Sequence, residues 1–239
     1  MYNRPPTLSR ATLGHPTIQD TRRVSTLKSL ALLDTPSEAV FDRVTRLSSR
    51  LLNAPVSLVT LVDANRQWFK SMVGLAEPWA SRRETPLSHS FCQHVVITQQ
   101  PLVVTDAREV DFLKENLAIP DLNVISYLGM PLTTVDGQTI GSLCVIDSQS
   151  REWSQDDIEV LRDLAATTMA LIEMRSQMAS MTSVNEGKVR SAMSQLAQAE
   201  TRRKDESHFH NSVLRQVIQM VESQRPRTDI LTFLKGIGS

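Results

Sequence analysis

ISYLGMPLTTVDGQTIGSLCVID, residues 125–147, consists of two apolar runs, Ile125–Leu132 and Thr139–Ile146, joined by a polar segment that contains Asp136-Gly137. That dipeptide supplies the positive φ of a tight hairpin, so the pattern predicts two antiparallel strands. Along the second run, Ile140, Ser142, Cys144 and Ile146 alternate with Gly141, Leu143 and Val145. Both faces are largely apolar, and such a strand is expected to be covered on both sides. Gly129, Gly141 and Ser142 leave room for something to lie close to the sheet, either a packed helix or a ligand.

Upstream, Pro55 opens a strand at Val56–Val62 that is apolar on both faces and so central. Asp63-Ala64-Asn65 turns the chain into a second strand, Arg66–Val73, in which Trp68 and Phe69 face opposite sides. One packs in the core; the other walls a pocket or meets a partner helix. Before these strands, Asp20 or Thr21 caps a helix carrying Val24, Leu27, Leu30 and Ala31. Thr35-Pro36-Ser37-Glu38 has the capping-box pattern of a second helix, with Val40, Phe41, Val44, Leu47 and Leu51 inward and Arg43, Arg46 and Arg50 outward.

Residues 74–86, GLAEPWASRRETP, lose periodicity and read as a loop that carries Trp79, Arg82 and Arg83. The loop either has a function or is solvated with Trp79 folded onto the body. Ser88 or Ser90 then caps a short helix with Phe91, Cys92, His94, Val95 and Val96. Pro101 begins a strand at Leu102–Thr105, Asp106 is suited to cap the next turn, and Arg108–Asn116 reads as a short helix with Phe112 and Leu113 inward.

Ser154-Gln155-Asp156-Asp157 starts a long helix whose inward stripe is Ile158, Leu161, Ala165, Thr168 and Ile172. A heptad seam follows in Met174, Met178, Met181 and Asn185, then Val189, Met193 and Leu196, then Leu214, Val217 and Val221. Glu200, Arg203, Ser207 and His210 interrupt it. The expectation is an imperfect coiled coil over 176–223 that is stable only when paired, ended by Gln224-Arg225-Pro226-Arg227 and an apolar tail over 224–239.

The run PLTTVDGQTIGSLCVID with the helix at Ser154 resembles the last hairpin and closing helix of GAF domains, the small-molecule-binding and dimerising modules of bacterial signalling proteins. The resemblance extends through LALLDTPSEAVFDRVTRLSSRLLNAPVSLVTLVDANRQWFKSMVGL and ETPLSHSFCQHVV, covering about Asp20 to Arg175. It implies an α+β fold, a PAS-like antiparallel sheet with helices on both faces, to which the C-terminal coiled coil is added. It further implies that the first and last helices share the sheet face away from the ligand and often form a dimer contact. Family members bind cyclic nucleotides, bilins, haem, amino-acid-like metabolites or nothing known. A ligand here is expected opposite the terminal helices, lined by Phe69 or Trp68, Phe91, Cys92, His94, Asp106 and Tyr127, with Arg82 and Arg83 meeting an anionic group.

Composition confines the core to the middle, because eight of eleven aromatic residues lie between Phe41 and Trp153. Pro, Thr and Ser in residues 1–19 predict a disordered arm, with no apolar segment long enough for a signal peptide. Nine basic against six acidic residues after Arg175 are too few for a nucleic-acid face. The apolar runs are too short to span a membrane, and Cys92 and Cys144 lack disulfide or zinc spacing, so a cytoplasmic protein is expected.

Enzymatic alternatives find little support. GAF-type methionine sulfoxide reductases use several cysteines as nucleophile and resolving partners, and two in apolar surroundings make no visible pair. Cys92-Gln93-His94 suggests a bilin anchor, yet its Cys-His spacing does not match. His208 and His210 lie where sensor kinases place a phosphoacceptor, but no acidic residue follows either and no nucleotide-binding motif is present. The expected function is therefore a non-catalytic sensor or regulatory module. It would bind an unidentified small molecule, pair as a homodimer through its terminal helices and signal along the coil to an output partner, with no catalytic or metal-ligating residue. The alternative is the sensor half of a two-component histidine kinase, or of another output enzyme, without its catalytic domain.

Overall fold

Strands β1 (Val56–Val62), β2 (Arg66–Val73), β3 (Glu84–Pro86), β4 (Leu102–Val104), β5 (Ser126–Thr133) and β6 (Thr139–Asp147) form one antiparallel sheet in the order β3-β2-β1-β6-β5-β4. The computed structural model describes residues 18–223 and 225–237, with the side chains of residues 183–185, 230 and 237 excepted. Most of the expected N-terminal arm, the Asn185 side chain and the end of the tail thus lie outside the described residues. The helices are α1 (Thr21–Ser29), α2 (Ala39–Leu51), α3 (Trp79–Arg82), α4 (Cys92–Thr98), α5 (Ala118–Leu122), α6 (Gln155–Glu222) and α7 (Arg227–Ile237).

The β5–β6 hairpin forms where the sequence predicts it. Gly137 takes φ 81°, and its N–H donates to the Thr134 carbonyl at 2.9 Å. β6 lies between β1 and β5, and Thr139–Ile146 is buried throughout. Two expectations about it are corrected. Leu132 pairs with Gly141 but Thr133 with Thr139, so Ile140 is the extra residue of a bulge and joins Leu143 and Val145 in the core of the opposite face from Cys144. The room at the glycines is filled by the sheet itself: a Cβ at Gly129 would fall 2.3 Å from the Tyr127 hydroxyl, and one at Gly141 1.9 Å from the Thr60 carbonyl.

One face carries α1, α2 and the first part of α6. Leu27, Phe41, Leu161, Ala165 and Ile172 pack there with Val59, Leu61, Leu128, Leu143 and Val145. Ser154 opens α6 with a reciprocal cap, its hydroxyl 3.1 Å from the Asp157 N–H and its own N–H donating to the Asp157 carboxylate. The predicted inward stripe of α6 is buried. On α2 the inward face is instead Phe41, Val44, Thr45 and Ser48, while Val40, Leu47 and Leu51 are exposed. Thr45 and Ser48 can face the sheet because their hydroxyls are satisfied, by Ser71 at 2.9 Å and the Val44 carbonyl at 3.0 Å.

The other face lies under α4, α5 and their connections. The predicted 108–116 helix is replaced by a 3-10 turn at Ala107–Glu109 and, further on, α5, whereas the loop after β2 contains α3 and the edge strand β3. Residues 179–239 form a separate unit, the remainder of α6 and then α7, which takes up most of the predicted tail. On α6, Met181, Val189, Met193, Leu196, Leu214 and Val221 are each more than half exposed.

Gly141→Ala should push β1 from β6 at the sheet centre, with a stability loss of about 1–3 kcal/mol, readable as a lower urea midpoint.

Candidate functional site

Where β2 meets β1, Val59 pairs with Ser71 and Thr60 with Phe69, which leaves Lys70 as the extra residue of a second bulge. Its side chain is fully buried on the α2 face, over the Phe41 ring. A buried ammonium needs partners on every proton. The Lys70 Nζ donates to Thr35 Oγ1 at 2.7 Å, the Pro36 carbonyl at 2.9 Å and Glu38 Oε1 at 2.5 Å. The predicted capping residues are thereby diverted: α2 begins only at Ala39, and Glu38 makes no cap hydrogen bond.

Glu38 has a second cation. Arg175 of α6 donates Nε to it at 2.9 Å, and its Nη1 donates to the carbonyls of Leu30 and Ala31. Burial would raise the Glu38 carboxyl, but hydrogen bonds from Lys70 and Arg175 outweigh it and hold the group below the usual carboxylate range. Burial pushes the Lys70 ammonium down, with Glu38 opposing the shift. Lys70, Glu38 and Arg175 thus tie the sheet, the α1–α2 connection and α6 together.

The predicted ligand residues do not share one place. Phe69, Phe91, Cys92 and Tyr127 come together on the α4 face, all nearly inaccessible. The rings of Phe91 and Tyr127 are 5.5 Å apart, and the Tyr127 hydroxyl donates to Cys92 Sγ at 3.3 Å. Trp68 lies on the α2 face, with the guanidinium carbons of Arg66 and Arg83 5.6 and 5.2 Å from its ring centroid. Arg83 donates Nη1 to the Thr35 carbonyl and Nη2 to the carbonyls of Phe69 and Lys70, and Arg82 stacks on Trp79. Asp106 caps its turn and pairs with Arg108, whose guanidinium holds the carboxyl below the usual range against the effect of burial.

His94 lies further along α4, edge-on to Phe112 at 5.1 Å, and its buried Nδ1 has no partner among the described residues. Burial pushes it down to about 4. Ser88, His89 and Asp121 form a hydrogen-bonded row absent from the sequence expectations, with both His89 contacts at 2.9 Å. Lys70 and Glu38 were also overlooked; the one available signal was a lysine directly after Trp68 and Phe69 in mid-strand.

The family model described as GAF domain matches residues 36–172, more than half of the chain. The chain belongs to the GAF domain family. A cyclic di-GMP phosphodiesterase of Pseudomonas aeruginosa is 30% identical over 152 residues, 63% of this chain but only 25% of that protein. The GAF domain of a phosphoenolpyruvate-protein phosphotransferase from Coxiella burnetii superposes with a TM-score of 0.51 at 15% identity, covering 72% of this chain and 99% of that structure. The blue-light absorbing form of the Thermosynechococcus elongatus PixJ GAF domain gives 0.49 at 18% identity, with coverages of 72% and 96%.

Two tests follow from these side chains of the GAF domain. Glu38→Gln leaves Lys70 buried without its counter-charge and should cost about 2–4 kcal/mol, whereas Lys70→Met, which removes the buried charge altogether, should cost less; chemical denaturation of both ranks them. His94 is neutral when folded but protonated when unfolded below its ordinary value of 6.5, so stability should fall as pH drops from about 6.5 to about 4, by up to roughly 3 kcal/mol. The melting temperature of His94→Leu should vary less with pH across that window than that of the parent.

Proposed function

We propose that this chain is a non-catalytic regulatory GAF module that pairs through its terminal helices and passes a change in the domain along α6 to an output partner in the cytoplasm. The observation that carries it is the Arg175–Glu38–Lys70 connection, which joins α6 directly to a bulge of the sheet. A change in the sheet or in the α1–α2 connection is then felt by a helix that continues to Glu222. Support for pairing comes from the exposed apolar side chains of α6 and from Val40, Leu47 and Leu51 on α2. An isolated helix is marginal in water, and burying such a stripe against a second copy stabilises it.

An input ligand would enter from the α4 side, against Phe69, Phe91, Cys92 and Tyr127. Tyr127 occupies that space over Gly129, so a ligand there has to displace its ring. A second reading is favoured by the phosphodiesterase relative: the module governs an output enzyme of cyclic di-GMP turnover, with no chemistry of its own.

Sedimentation of the full chain beside a chain ended after Arg175 tests the pairing. The full chain should be a dimer at tens of micromolar, an order-of-magnitude working concentration for such coils, and the shortened one more weakly associated. A monomeric full chain would remove the pairing from this proposal.

A further inference from the structure

Cys92, at the start of α4, and Cys144, in the middle of β6, are 52 positions apart in sequence, yet their sulfurs lie 3.9 Å apart beneath the sheet. Both thiols are free and buried. The Tyr127 hydroxyl donates to Cys92 Sγ and lies 3.4 Å from Ser142 Oγ, so the pair sits beside a short polar row in an otherwise apolar core. We propose that Cys92 and Cys144 are a redox site of this domain, a dithiol that a small peroxide converts to an intramolecular disulfide joining α4 to the central strand.

The two cysteines are not equivalent. Cys92 lies against the Cys144 sulfur and accepts from the Tyr127 hydroxyl, and such contacts bring its thiol down to about 7 against the effect of burial. Burial, together with the neighbouring Cys92, pushes Cys144 up. Cys92 is therefore the attacking thiolate and Cys144 the resolving thiol. The Cys92 thiolate attacks one oxygen of hydrogen peroxide and breaks the O–O bond; the departing hydroxide is protonated to water, and Cys92 becomes a sulfenic acid. The Cys144 sulfur then attacks the Cys92 sulfur and breaks its S–O bond, and the Cys144 proton leaves with that oxygen as a second water. Two thiols and one peroxide give one disulfide and two waters, a two-electron oxidation.

A disulfide requires the sulfurs to reach about 2.05 Å, so closure draws the start of α4 toward β6 by side-chain rotation and a small backbone shift. Closure also takes the Cys92 thiolate away from the Tyr127 hydroxyl. The redox site stands whether or not α6 relays a signal.

The test uses the full chain, fully reduced, freed of reductant and treated at neutral pH with hydrogen peroxide. Acid quenching, alkylation with iodoacetamide under denaturing conditions and peptide mapping follow. The expected chain is monomeric by mass, takes up no alkyl groups, is lighter than the reduced chain by about 2 Da and yields one cross-linked peptide pair containing Cys92 and Cys144. Cys144→Ser should instead accumulate a dimedone-reactive sulfenic acid at Cys92, and Cys92→Ser should leave Cys144 reduced. The proposal is overturned if both thiols of the parent chain stay alkylatable, if oxygen adducts accumulate on Cys92 while Cys144 is free, or if the only disulfides join two chains. Mapping of the parent chain decides the matter even where a variant fails to fold.

Discussion

The buried ammonium of Lys70 is the constraint to which the α2 side of the domain is fitted. A lysine enters the core here because a bulge between β1 and β2 adds one residue and directs both Lys70 and Ser71 toward α2. The charge cannot be left bare at such depth. The α1–α2 connection therefore folds over it, supplying Thr35, the Pro36 carbonyl and Glu38. Arg83 binds the Lys70 carbonyl from the loop side, and Arg175 binds Glu38 from α6. Elements distant in sequence are thus drawn to Lys70 and its counter-ion Glu38.

The opposite face uses a different economy of space. Tyr127 lies flat over Gly129, and its hydroxyl reaches Cys92 and Ser142 instead of water. A bulkier residue at Gly129 would collide with the ring, so the glycine and the tyrosine are matched. The result is a small polar row inside an apolar layer, with a pair of thiols beside it. Such a row holds α4 in register on the sheet.

The central hairpin was legible because turn chemistry and strand periodicity agree: Asp136-Gly137 sets the turn, and apolar runs of strand length flank it. β1 and β2 were legible for the same reason, down to their first and last residues. The inward face of α2 was misplaced because hydrophobicity cannot report that Thr45 and Ser48 find partners in the core. The capping box at Thr35–Glu38 was a sound local signal overridden by a stronger nonlocal demand from Lys70. Within the candidate site, the apolar members Phe69, Phe91, Cys92 and Tyr127 were brought together, since burial alone gathers such residues. Arg82, Arg83 and Asp106 were engaged by neighbours that sequence spacing does not reveal. The proximity of Cys92 and Cys144 depends on how α4 crosses β6, which no local pattern encodes.

If Glu38 is the joint between the sheet and α6, its effect should be distributed along a particular route. Hydrogen–deuterium exchange of Glu38→Gln against the parent chain measures that distribution most directly. Loss of protection is expected in β2 and in the 155–178 part of α6 together, with β4 and the β5–β6 hairpin turn unchanged. Loss confined to the first turn of α2, with β2 and α6 protected as in the parent, would contradict a joint at Glu38 and reduce the contact to a local tie.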